Sequence, residues 1–144
     1  MLLALVAADA LLPAAAQSIS TLSSLSFGSF VAGTGGSITV AAGGGRTSTG
    51  GVVTVGQGST YAAAMFRVSG TASATYTITL PENNTVTLTD GTHTMALNTF
   101  TSSPPTGTLS GGGMQLVQVG ATLTVGNGQP PGNYTGTFNV TVNY

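Results

Sequence analysis

Few side chains in this chain could move a proton or attack a bond. The acids are Asp9, Glu82 and Asp90, the cations are Arg46 and Arg67, His93 is the lone histidine, and lysine and cysteine are absent. Glycoside hydrolysis by paired carboxylates would have to use Glu82 with Asp90. Both stand in polar turn sequences, Pro-Glu-Asn-Asn and Thr-Asp-Gly-Thr, where a solvated side chain is the ordinary outcome. A Ser-His-Asp triad is formally open because serines are plentiful, but no Gly-x-Ser-x-Gly elbow marks one of them as the nucleophile. His93 has Asp90 close by in sequence, and the turn itself accounts for that aspartate. Thiolate metal sites are excluded, and one histidine does not make a histidine-rich site. The residue types therefore predict no catalytic residues, no metal site and no cofactor. Sugar recognition usually stacks a ring on an exposed aromatic side chain. With no Trp and four Tyr, Tyr61 is the candidate, its plainer role being a strand-edge residue.

Charge is almost absent, at 3% of residues, against roughly a quarter in ordinary soluble proteins. Two arginines cannot build a phosphate-binding patch, so nucleic acid is not an expected partner. The same scarcity argues against recruitment to anionic lipid. A net charge near zero leaves a protein undefended against self-association, which is no handicap for a subunit that polymerises.

The chain opens with an apolar run broken at Asp9 and Pro13 and closing on Ala14-Ala15-Ala16-Gln17. Residues 1–16 read as a secretory signal without its basic start, cleaved before Gln17. They are too short and too interrupted for a transmembrane span. Without cysteines, the exported domain must be held by its core alone.

After Gln17 the pattern is period-two alternation bounded by Gly, Asn and Pro, which predicts an all-β domain with no amphipathic helix. Strands are expected over residues 24–32, 37–42, 51–56, 62–69, 75–80, 85–89, 92–97, 114–125 (with a break at Gly120) and 134–144. In the last, Phe138, Val140, Val142 and Tyr144 share one face, and Thr137, Asn139, Thr141 and Asn143 the other. Asp90-Gly91 reads as a two-residue hairpin turn. That register sets Leu88 opposite His93 and Val86 opposite Met95. Arg67 and Glu82 are candidates for a salt bridge. The Gly-rich stretches 33–36, 43–51 and 111–113 read as turns, since no following helix or Lys equips them to hold phosphate. Nine or so short strands suggest an immunoglobulin-like β-sandwich, with a closed barrel second.

Two segments carry a resemblance. One is Leu25-Ser-Phe-Gly28 with Phe30 after it. The other is the carboxyl end, Gly132-Asn-Tyr134-Thr-Gly-Thr-Phe138-Asn-Val140-Thr-Val142-Asn-Tyr144. With Arg46-Thr47, residues 64–70, residues 76–81 and residues 119–123 in the same order, the chain resembles the bacterial exported family called domain of unknown function 4402. It is similar more distantly to spore coat protein U-like and chaperone–usher pilin subunits.

The resemblance implies a pilin-like immunoglobulin sandwich lacking one strand, the single domain spanning residues 25–144. Such a groove is filled first by a periplasmic chaperone, delivering to an outer-membrane usher, and then by the amino-terminal extension of another copy or a related subunit. Tyr134, Phe138, Val140, Val142 and Tyr144 would line the groove and meet the chaperone, or else form an ordinary core strand of a complete sandwich. Residues 17–24 are the candidate donor extension, about 26 Å long when extended, with Ile19, Leu22, Leu25 and Phe27 as its apolar residues. Ile19, Leu22 and Leu25 recur at three, whereas a donor strand should alternate at two. The expected role is a structural subunit of a fimbria- or pilus-like assembly. It would be exported through the periplasm to the surface of a Gram-negative bacterium. The alternative is a self-contained surface module that binds carbohydrate or protein.

Overall fold

The computed structural model describes residues 2–11, 18–56, 60–104 and 106–143. The alternation becomes thirteen strands, with no helix among these residues: β1 (Leu2–Leu11), β2 (Ser18–Ser23), β3 (Leu25–Val31), β4 (Gly36–Val40), β5 (Arg46–Gly50), β6 (Val53–Thr54), β7 (Ala64–Ser69), β8 (Thr75–Thr79), β9 (Val86–Thr89), β10 (Thr94–Ser103), β11 (Thr106–Thr108), β12 (Met114–Val125) and β13 (Gly132–Asn143). The hydrogen-bonded order is β2-β7-β12-β10-β9-β13-β1-β3-β6, with β4 joining β12 to β5 and β8 joining β13 to β11. Apart from β1 with β13, every pair is antiparallel.

This network folds into a β-sandwich. One layer is centred on β12 and the other on β13, and their apolar faces make a common core. Phe66 of β7 meets Phe138 of β13 edge to face across that core, with ring centroids 6.5 Å apart. Phe100 of β10 packs on the same ring at 5.2 Å. Strand β10 links the layers. Thr94–Leu97 pair with β9, and Leu97–Ser103 pair with β12 through a register shift between Asn98 and Thr101. At that shift Thr99 takes a positive φ of 52°, and its N–H donates to Asn83 Oδ1 at 2.8 Å. Such bulges bend a strand where it must change layers.

Strand β12 shows why one expected break is not a break. Met114–Val119 pair with β7, and Ala121–Val125 pair with β4. Gly120 is the changeover, where a Cβ would collide with the Val40 carbonyl oxygen. Three further expectations need correction. Residues 46–50 are strand β5, not loop, because Thr47, Ser48 and Thr49 pair with β4 while their exposed faces carry no apolar signal. The 90–91 hairpin has a longer loop, and Leu88 faces Met95 while Val86 faces Leu97. Asp90 builds that loop, its Oδ1 accepting the N–H groups of Thr92 (2.8 Å) and His93 (2.6 Å). Among the described residues Arg67 and Glu82 form no ion pair, since β7 lies beside β12 and Glu82 follows β8, which lies beside β13.

Candidate functional site

The residues with chemical potential are scattered. His93 Nδ1 stands 3.0 Å from Asp90 Oδ2, at an exposed hairpin tip. The Asp90 carboxyl is held down at about 2, first by the backbone N–H of His93, then by the His93 ring and the N–H of Thr92. No serine joins the His93 ring among the described residues, and Glu82 is exposed in a different turn, where its carbonyl accepts the Thr85 hydroxyl at 2.7 Å. Arg67 lies on the solvent face of β7, registered with Leu116 and Ser20. Arg46 lies 4.4 Å over the Tyr61 ring, so one face of the proposed sugar platform is taken by a guanidinium.

The most distinctive geometry is a slot between β3 and β13, occupied by β1. Strand β1 pairs in parallel with β13 over ten residues, from Leu2 with Gly132 to Leu11 with Thr141. On its other flank it pairs antiparallel with β3, from Leu2 with Phe30 to Val6 with Leu25. The strand that fills the slot thus comes from the segment read as a leader.

The wall made by β13 follows from its alternation. Tyr134, Phe138, Val140 and Val142 are buried, while Asn133, Thr135, Thr137, Asn139 and Asn143 are exposed. Gly136 interrupts the apolar face because a Cβ there would collide with the Thr87 carbonyl oxygen. Tyr134 is fully buried but keeps its hydroxyl satisfied. The O–H donates to the Pro130 carbonyl at 2.7 Å and accepts from Gln129 Nε2 at 3.2 Å. That ties the loop before β13 to the strand and fixes where the wall begins. Tyr144 and the expected cleavage point after Ala16 lie outside the described residues.

The β3 wall is bulged. Ala4 registers with Gly28 and Leu5 with Ser26, so Phe27 is skipped. Gly28 makes this feasible with φ 73°. The polar groups freed at the bulge are satisfied from within the domain. Gly28 N–H donates to Ser26 Oγ at 3.3 Å, and Arg46 Nη1 donates to the Phe27 carbonyl at 2.9 Å. Arg46 also donates to the carbonyls of Ser29 at 3.4 Å and Val55 at 3.3 Å. It therefore braces this wall, a role that nothing in its sequence neighbourhood announces.

The four residues expected on a donor strand are divided between two strands of the chain's own fold. Ile19 and Leu22 lie on β2, which pairs with β7, and Leu22 is the bulged residue between Thr21 and Ser23. Leu22 is exposed, so the spacing by three does not mark one apolar face. Leu25 and Phe27 lie on β3 and are fully buried, so they are committed to their own core.

Fold and slot together define an all-β sandwich domain in which one interior strand position is filled from the amino-terminal segment. The chain matches the family described as Domain of unknown function (DUF4402) over residues 18–144, and it belongs to that family. No curated protein and no solved structure matches it.

Proposed function

We propose that this protein is an exported structural subunit of a bacterial surface assembly, of the immunoglobulin-like, pilin-like kind, joined to its neighbours by strand donation. The observation that carries this reading is the slot. Its occupant is the apolar segment that reads as a secretory leader, and the family match begins just after that segment, at residue 18. Removal of residues 1–16 leaves the facing edges of β13 and β3 without a partner. An unpaired apolar edge recruits another strand, main-chain hydrogen bonds supplying affinity and alternate side chains supplying fit. A periplasmic chaperone strand in transit, and then a strand from another copy, are the occupants that suit an exported subunit. An outer-membrane usher would be the export partner. The near-absence of charge removes the usual barrier to self-association.

The test is export of the chain in a Gram-negative host, with purification of the processed form from periplasm and surface. The reading expects residues 17–144 as multimers or bound to a chaperone, with monomer rare. Recovery of a stable, free monomer would overturn it and leave a self-contained surface module.

A further inference from the structure

We propose that the slot selects the strand it accepts by size at one position, and that Ala4 meets that requirement in β1. This rests on the slot being a strand-binding site, as argued above, and not on assembly. Ala4 is the β1 residue that registers with Tyr134 on one wall and with Gly28 on the other, and it is fully buried. Both walls are set at this point without help from the occupant. Tyr134 is held by Pro130 and Gln129. The bulge at Phe27 and Gly28 is held by Arg46 and Ser26. Neither wall can retreat without breaking these partly buried hydrogen bonds, which oppose widening of the opening between them.

The occupant's sequence agrees. Leu2, Leu3, Leu5 and Val6 surround Ala4, and all are larger than alanine. A slip by one residue would bring Leu3 or Leu5 between Gly28 and Tyr134, and a slip by two would bring Leu2 or Val6. Each would overfill the position, and overpacking a closed core is destabilising. One size-selected position thus excludes slips of one or two residues, while longer slips that would place Ala7, Ala8 or Ala10 there give up several pairs of the ten-residue ladder. The ligand class is therefore an extended, largely apolar segment of about ten residues that presents a small residue, such as alanine, between Gly28 and Tyr134.

The test compares the full chain with its Ala4→Trp and Leu5→Trp variants, refolded from denaturant and followed by amide hydrogen exchange. Leu5 registers with exposed Thr135, so it is the matched control. Ala4→Trp is expected to cut protection of the Gly132–Thr141 amides by at least about tenfold while β7 and β12 keep theirs, and Leu5→Trp to stay within about twofold of the parent. A free peptide of residues 2–11 should then restore protection to the Ala4→Trp chain, and the same peptide carrying Ala4→Trp should not. Equal effects of the two substitutions, or restored protection by both peptides alike, would overturn the proposal. If Ala4→Trp does not refold, Ala4→Val and Leu5→Val give the same contrast through melting temperature, and equal shifts would again overturn it. If the contrast between positions holds but no free peptide enters, size selection stands and the strand-donation reading falls.

Discussion

Strands β12 and β13 are each twelve residues long and each runs through the middle of its layer. Their flanks differ in origin. Strand β12 is bordered by β7 and β4 on one side and β10 on the other, all from within the family-matched region. Strand β13 has β8 and β9 on one side, but on the other it has β1, which precedes that region. The β12 layer is thus built within the family-matched region, whereas the β13 layer takes one partner strand from outside it. The pairing differs too. The contact of β1 with β13 is the parallel one in an otherwise antiparallel fold, and parallel pairing is slightly weaker per residue. A strand entering the slot must run parallel to one wall and antiparallel to the other, because β3 and β13 run in opposite directions.

The largest way to sharpen this contrast is deletion of residues 1–16. Urea unfolding followed by site-resolved exchange should show the β13 amides losing nearly all protection while those of β12 retain most of theirs. Uniform loss in both layers would break the comparison. Next in size is Phe138→Ala, which should cost about 3–5 kcal/mol in the full chain, as for other large buried aromatics. The same change should cost less once residues 1–16 are gone, because the wall it supports is then open. Equal costs in the two backgrounds, read from denaturant midpoints, would show that the two layers are not distinguished by β1. Arg46→Ala should follow at about 1–3 kcal/mol, the cost of leaving the Phe27 carbonyl without its donor. Its effect should be concentrated in the exchange of β3 and β1 and absent from β12.

The smallest effect is one of pH. The Asp90 carboxyl, ordinarily at 3.8, is held at about 2 by the His93 and Thr92 donors. A depressed carboxyl contributes stability that is full above its unfolded value and is lost as pH falls through the folded one. Melting temperature should therefore drop between about pH 4 and pH 2 in the parent, and the Asp90→Asn variant should lack that component. Asp90 stands against Gly132, which registers with Leu2 at the start of the slot, so any effect of the change on β1 should be confined to that first pair.

Much of the fold is legible in the sequence because burial alternates where one face is wet. The range 114–125 is matched by β12 end to end, and Phe138, Val140 and Val142, which alternation sets on one face of β13, are buried. The hairpin shows the limit of that signal. Alternation fixes register modulo two, so Leu88 opposite His93 and Leu88 opposite Met95 are equally compatible with it. Asp90 decides between them through side-chain hydrogen bonds that propensity does not record. Strand β5 is hidden because Thr47, Ser48, Thr49 and Gly50 are all exposed and give no apolar stripe. Strand β1 is hidden for the opposite reason, since Leu2, Leu3, Ala4, Leu5 and Val6 are apolar on both faces and read as a leader. Of the candidate site, the alternation of β13 is visible in advance. The brace from Arg46 and the bulge at Phe27 depend on contacts far apart in sequence and are not.

That the β13 layer is completed by a strand from outside the family-matched region is tested most directly by the melting temperature and sedimentation of residues 17–144 alone and with the free 2–11 peptide. The expected result is an unstable or oligomeric chain that the peptide converts to a monomer melting about 10 °C or more higher, as several kcal/mol of added strand contacts would produce in a domain of this size. A stable monomer whose melting temperature does not respond to the peptide would contradict it.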